Sequence, residues 1–352
     1  MNDKIFSGFF GNCHCQGIAV DKKRGFIYYS FTTKLVKCDL DGTLIGTVDN
    51  VVGHLGCIDF NESDGRLYAS LEYKNDAIGK GILGALGKTD ELSVAFYIAI
   101  FDVDKIDRVG MDAERDGVMR TVFLRTVLDD YFGTAKIGGR EYEHIHGCSG
   151  IDGIAFGPDF GAPDGRRYLS VCYGIYSDIS RPDNDYQVIL QYDADGWWDT
   201  VARPILQSDM HSSGPDAPRR KYFVFTGNTT YGVQNFEYDE YTGDYFMCVY
   251  RGKKLQFPNH PMYVIDGSRA AVESELLGCG ETGLVLALRD TGEGENGIYG
   301  INFPHGSTGF CSLGDGNFYV SEHFSAEEGQ ATNVCLYRLL RGGGKWEFSR
   351  VE

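Results

Sequence analysis

Four of the eight histidines of this 352-residue chain recur in one setting. HCQGIAVD begins at His14, HLGCIDF at His54, HGCSGIDGIAF at His146 and HGSTGFCSL at His305, and TYGVQNFEYD carries Tyr231 in the same place. In each, a His or Tyr stands shortly before a glycine that opens a mostly apolar run. Imidazole suits general-base work near neutrality, and an arginine beside it would neutralise a substrate carboxylate. Tyr231 next to His146 or Arg251 would suit proton transfer where a nearby positive charge lowers the phenol pKa. His14 also lies within Cys13-His14-Cys15, a zinc-like juxtaposition, but neither CxxC nor HExxH supplies the further ligands that a structural zinc site needs. Convergent imidazoles would suit a divalent metal in a channel. The plain alternative is a structural histidine inherited by every copy of a repeat.

The repeat that positions these residues continues beyond them. Each first run is followed by a turn and an aromatic second run: GFIYYSF, GRLYASLEY, RRYLSVCYGIY, DYFMCVYRG and NFYVSEHF. The turns SDGR, PDGR, YTGD and GDGN separate the two. Third runs follow as KLVKCDLDG, AFYIAIFDVD, YQVILQYDADG, MYVIDG and NVCLYRL. Four antiparallel strands per unit around an axis is the plan of a β-propeller, so the chain reads as one all-β domain over 1–352 with five legible blades and no helix. Stretches 112–145 and 276–304 read as insertions or degenerate blades. KIFSGFF near the start is expected to pair with the last blade and close the ring.

If each first strand lines the central channel, the residues before it share one mouth, and the loops between second and third strands return there. Those loops are the long ones, at 74–94, 176–186, 251–261 and 324–332. His14, His54, His146, Tyr231 and His305 are expected to ring the mouth, with Tyr173, Tyr176, Arg181, Tyr250, Arg251 and His323 around it. Asp178, Asp183 and Asp185 could form a glycosidase carboxylate pair or a calcium loop, but read better as turn residues. Trp197 and Trp198 read as buried rather than as a sugar platform, and RGGGKWEF at 341–348 reads as a turn between the last two strands. No GxSxG is present to mark a nucleophile elbow.

A net charge of -17 disfavours nucleic acid. No apolar run is long enough to span a membrane. The ten cysteines are scattered singly, and the start of the chain lacks a signal-peptide pattern, so reduced thiols and a cytoplasmic location are expected.

The segments HGCSGIDGIAFGPDFGAPDG, YGIYSDISRPDNDYQVILQYD and TTYGVQNFEYDEYTGDYF resemble β-propeller enzymes acting on the L-rhamnosyl-α-1,4-glucuronate linkage, the lyases or rhamnosidases of gum arabic breakdown, with ulvan lyases more distant. The resemblance implies seven blades, an unsaturated uronate product in the lyases, and catalysis by His and Tyr with Arg near the sugar carboxylate. Carried over by position, His14 and His146 match as catalytic histidines, with Tyr231 and Arg251 as candidates. His54, Tyr173, Tyr176, Arg181, Tyr250, His305 and His323 are then expected to bind substrate. The regular histidine-histidine-tyrosine-arginine spacing of the lyases is not found.

Expected, therefore, is cleavage of an acidic oligosaccharide by β-elimination, with no cofactor required and a divalent metal at the central channel as the open alternative. Hydrolysis would call for two carboxylates, and no marked pair stands out in the sequence. A hydrolytic α-L-rhamnosidase, a noncatalytic binding module with structural histidines, and a six-bladed metal-dependent lactonase are the rival readings.

Overall fold

The computed structural model describes residues 2–11, 13–88, 93–206 and 208–352. Five antiparallel blades form a β-propeller. Blade one runs outward through Gly17–Asp21, Phe26–Phe31, Lys34–Asp39 and Leu44–Asp49. Blade two runs through His54–Asn61, Arg66–Tyr73, Ala95–Phe101 and Met119–Phe123. Blade three is built from Cys148–Asp159, Ala162–Ile175, Tyr186–Tyr192 and Arg220–Phe225. Blade four has Thr230–Asp239, Asp244–Tyr250 and Met262–Ile265, with bridges to Ile301 and Leu288 along its outer edge. Blade five has Phe310–Ser312, Asn317–Ala326 and Gly329–Gly342.

The innermost strand of each blade packs on that of the next, and blade five returns to blade one. Each blade is thus sandwiched, and five hydrophobic clusters fill the five gaps between neighbours. That is why Ala95–Phe101 and Tyr186–Tyr192 are buried along their whole length rather than alternating. The five repeats legible in the sequence are the five blades; the seven implied by the family resemblance are not present.

The intervening stretches are insertions, and they correct the all-strand reading. Within 74–94 a helix spans Ala77–Ala85, capped by Asp76, whose carboxylate accepts from the Ile78 and Gly79 amides, both at 3.0 Å. Residues 89–92 of that loop lie outside the described residues. A second helix, Arg125–Phe132, follows blade two, then a hairpin of Thr134–Ile137 and Arg140–Glu143. From 276–304, Thr282–Leu286 adds in parallel to the edge of blade three. Short apolar runs do not reveal by periodicity alone which of them coil.

Ring closure follows the expectation. Lys4–Phe6 pairs with Asn333–Cys335 of the third strand of blade five, and Lys345–Arg350 pairs with Tyr337–Gly342 of that strand after the turn at Gly342 to Lys345. Ile5 is 1% exposed and packs in the core between blades five and one with Ile18, Tyr29 and Val334. Truncating Ile5→Ala leaves a cavity at the closure and is expected to cost ~2–4 kcal/mol, read by equilibrium urea unfolding.

Candidate functional site

At the mouth where the innermost strands begin, a cavity of ≈ 530 Å³ opens over the propeller axis. Blade one contributes His14 and Gln16, and blade four contributes Tyr231, Gln234 and Tyr250. The helix Ala77–Ala85 closes one side with Ile78 and Ile82. The floor is polar, built by Glu72, Lys74 and Asp76 from blade two and Asp152 from blade three.

The end of one strand and the start of one helix build the floor. Glu72 lies near the end of the second strand Arg66–Tyr73, and Lys74 and Asp76 follow in the segment that leads into the helix Ala77–Ala85. Lys74 Nζ donates to Glu72 Oε1 at 2.5 Å and to the Ser149 carbonyl at 2.9 Å, and lies 3.7 Å from Asp76 Oδ2. Burial works against the Lys74 charge, but Glu72 and Asp76 hold its pKa above the ordinary value. Glu72 Oε2 also accepts from the Ile151 amide at 3.1 Å. It can lie there because position 150 is glycine: a Cβ at Gly150, whose φ is +128°, would overlap the carboxylate.

Asp152 differs in kind. It is 8% exposed, its Oδ1 is buried without a hydrogen-bond partner, and burial followed by the Glu72 charge pushes its pKa well above the carboxylate range. Burial raises the Glu72 carboxyl as well, but Lys74 and the Ile151 amide work against that rise, so Asp152, with no ion-pair partner, is the floor carboxyl more inclined to hold a proton. Burial and then Lys74 push His54 down to about 3, so it remains a neutral imidazole although its Nδ1 lies 3.7 Å from Glu72. Burial, with His323 nearby, lowers His14 as well. Burial raises the phenols of Tyr176 and Tyr250, keeping them as hydroxyl donors. Tyr231, at the rim, holds a positive φ of 65° while 49% exposed. Such strain in a bulky residue costs about 1–2 kcal/mol and gathers at functional positions.

Of the sequence-predicted site residues, His14, His54, Tyr176, Tyr231 and Tyr250 line this cavity. The others are held elsewhere. His146 is buried at 3% exposure, with its ring 5.0 Å from Phe223 and Nε2 3.2 Å from Glu281. Positive φ values at His144 and His146 and a register shift after Cys148 turn it away from the place its counterparts take. Arg251 bonds Asn302 on the exposed surface. Arg181 is a buried clamp on Asp183 and the Glu143 and His144 carbonyls. Tyr173 is a core residue whose hydroxyl donates to Asp130 at 2.6 Å. His305 packs between Phe303 and Tyr337, and His323 stands behind His14 with ring centroids 5.4 Å apart.

Other expectations resolve structurally. Asp178 accepts from the Ser180 amide as a turn residue, and Asp185 pairs with Lys254. Trp197 and Trp198 are buried in a short helix. All ten cysteines are free. Among the described residues no three His, Cys, Asp or Glu side chains form a metal-ligating group, at Cys13-His14-Cys15 or in the channel. The floor carboxylates are what sequence reasoning missed. Their signals were the charges at every second position of LEYKND and the single acid inside SGIDGIAF.

A second cavity, of ≈ 420 Å³, opens at the opposite mouth, where the innermost strands end. Asp59 there accepts from the Phe156 amide at 2.6 Å and Glu237 from the Ser312 amide at 2.8 Å. Burial pushes Asp59 up to about 6, and burial with the Asp59 charge lifts Glu237 further. A carboxyl with a raised folded pKa stabilises the fold below its unfolded value and loses that contribution as pH rises through about 6. Asp59→Asn is thus expected to raise unfolding free energy by ~1–3 kcal/mol at neutral pH and to give no gain below the ordinary carboxylate range, measured by urea unfolding at both pH values.

No protein-family model matches this chain, and no curated protein does. Solved structures show a distant likeness, among them the following three. A gluconolactonase from Xanthomonas campestris has 10% identity and a TM-score of 0.34, over 93% of this chain and 88% of that one. A glycoside hydrolase family 43 β-1,3-galactosidase, solved with galactodeoxynojirimycin, has 12% identity and a TM-score of 0.44, over 98% and 97%. A family AA12 carbohydrate-active enzyme from Trichoderma reesei has 9% identity and a TM-score of 0.37, over 90% and 80%.

Proposed function

We propose that this propeller is a carbohydrate-active enzyme that cleaves a glycosidic bond in the 530 Å³ cavity by acid-assisted hydrolysis. One observation carries the reading: Asp152, a buried carboxyl whose pKa burial raises, lines the cavity together with Asp76 and the Glu72–Lys74 ion pair. Hydrolysis of a glycoside needs an acid to protonate the leaving oxygen and a second carboxylate to receive the proton of water. Asp152 is the acid. Asp76 is the acceptor, since its Oδ1 is committed to the helix cap while Oδ2 lies 3.5 Å from the Tyr176 hydroxyl. Glu72 adds to burial in raising the Asp152 pKa, and Lys74 works against it. Tyr231, Tyr250 and Ile78 offer apolar surface to a sugar ring.

The same residues weigh against elimination as the first reading. Abstracting the proton at C5 of a uronate requires its carboxylate to be neutralised. Among the described residues lining the cavity Lys74 is the one lysine or arginine, and it is already bonded to Glu72. Elimination at an L-rhamnosyl-α-1,4-glucuronate linkage stays as the second reading because His14 and His54 are held neutral, as a base must be.

Incubation with a rhamnose-capped glucuronate oligosaccharide separates the two. Free rhamnose without ultraviolet absorbance from an unsaturated uronate means hydrolysis, and rising absorbance means elimination. No product from this or a panel of neutral oligosaccharides would turn the reading toward a binding module. Asp152→Asn is expected to lower kcat by about 10²- to 10⁴-fold with the fold intact by circular dichroism. Unchanged turnover in that variant would remove Asp152 from the chemistry.

A further inference from the structure

Two buried oxygens behind the cavity floor have no hydrogen-bond partner: Asp152 Oδ1 and Ser70 Oγ. Both belong to residues more than nine-tenths buried, Asp152 at 8% and Ser70 at 1% exposure. They converge on one spot, because a Cβ added to Gly56 would overlap both of them. Gly56 thus leaves open the gap across which the hydroxyl and the carboxyl oxygen face each other. Neither oxygen gains anything there from being left alone, since a buried polar atom without a partner is costly.

The repeat sharpens the point. Each of four second strands carries a tyrosine two residues before a serine, as Tyr28 and Ser30, Tyr68 and Ser70, Tyr168 and Ser170, and Tyr319 and Ser321. Ser30 donates to the Gly56 carbonyl at 2.6 Å, and Ser321 shares a hydrogen bond with Thr332 Oγ1 at 2.7 Å, while Ser70 Oγ and Ser170 Oγ have no partner. What sets Ser70 apart is that the space beside Gly56 is bordered by its hydroxyl and by the Asp152 carboxyl together. Asp152 also lines the cavity, and the Cys57 amide and the Gln234 side chain act on its carboxyl while Oδ1 has no partner.

We propose that Ser70 is a positioning residue for Asp152: its hydroxyl donates to Oδ1 across the gap left by Gly56, directly or through one water, and so leaves the Asp152 proton on the oxygen that faces the cavity. This deepens the hydrolytic reading of the site and rests on it only for the kinetic part of the test. The other groups acting on Asp152 are Glu72 and Lys74 from the second strand of blade two, the Cys57 amide and thiol, Cys172 of its own blade, and Gln234 and Tyr250 of blade four. All of these are unchanged when Ser70 is substituted.

The test compares Ser70→Ala and Ser70→Cys with the unaltered protein. Cysteine fills the same space as serine but is a weak donor, so a packing role is restored by it and a donating role is not. The first readout is the infrared carbonyl band of the protonated carboxyl, assigned by its loss in Asp152→Asn and followed against pH. Losing a donor to the carboxylate raises its pKa, so the band is expected to persist to higher pH in both variants. The second readout is the pH profile of kcat, expected to move in the same direction, with kcat about three- to tenfold lower and KM unchanged. A band that titrates as in the unaltered protein, or full restoration by Ser70→Cys, would overturn the proposal. A shifted band in a protein whose turnover survives Asp152→Asn would instead uphold the link between Ser70 and Asp152 while removing the hydrolytic role.

Discussion

The whole structure depends on how closely the five innermost strands approach one another at the axis. A Cβ on Gly17 of blade one would stand 2.9 Å from the Ile58 amide nitrogen of blade two, and one on Gly153 of blade three 2.8 Å from Val233 of blade four. At Gly309 of blade five the obstacles are Ser321 of its own blade at 2.8 Å and Ile18 of blade one at 3.0 Å. Side chains there would hold the blades apart, and the five clusters between them would lose their close packing. The apolar aromatic strands supply the cohesion, but the bare backbone at the axis sets the radius at which it acts.

That radius also makes the site. Strands that converge at their starts bring Asp152, Glu72 and the tyrosines of blade four to the walls of one cavity although they are far apart in the chain. Crowding removes water from the floor, and the removal has opposite effects on neighbouring groups. It raises the Asp152 pKa and lowers that of His54, while Glu72 and Asp76 hold the Lys74 pKa up. A carboxyl pushed up and an imidazole pushed down in one cavity bring a donor and an acceptor of protons together.

Fold was more legible than site, and the reason is physical. The repeat His or Tyr, glycine, apolar strand, turn, aromatic strand is imposed by the axis and by the gaps between blades, which are alike in every copy, so it is written five times. The site is written once. His146 obeys the pattern yet leaves the cavity, because the chain turns at His144 and His146 through positive φ values that no motif announces. Arg181 and Arg251, chosen for their charge, are consumed by loop contacts. Glu72, Lys74 and Asp76 were visible as alternating charges, but which partner each would meet depended on blade three, about 80 residues away. The helix Ala77–Ala85 was hidden for a related reason: it is short, rich in glycine and alanine, and turns its isoleucines to the cavity as well as to the core.

The closure has a further consequence. Lys4–Phe6 covers Asn333–Cys335 of the strand Gly329–Gly342, backbone bonds with Asp3, Ser7, Phe10 and Gly11 extend that cover from Gln330 to Leu336, and Lys345–Arg350 covers Tyr337–Gly342. The latch is local in its backbone pairing, and peeling it away costs chiefly the withdrawal of Ile5 from the core between blades five and one. Once it leaves, a row of unpaired amides and carbonyls faces solvent, ready to receive the same segment from another molecule. The latch that completes one ring is therefore also the element through which two rings would exchange strands, and crowded solution would favour that exchange over an open edge.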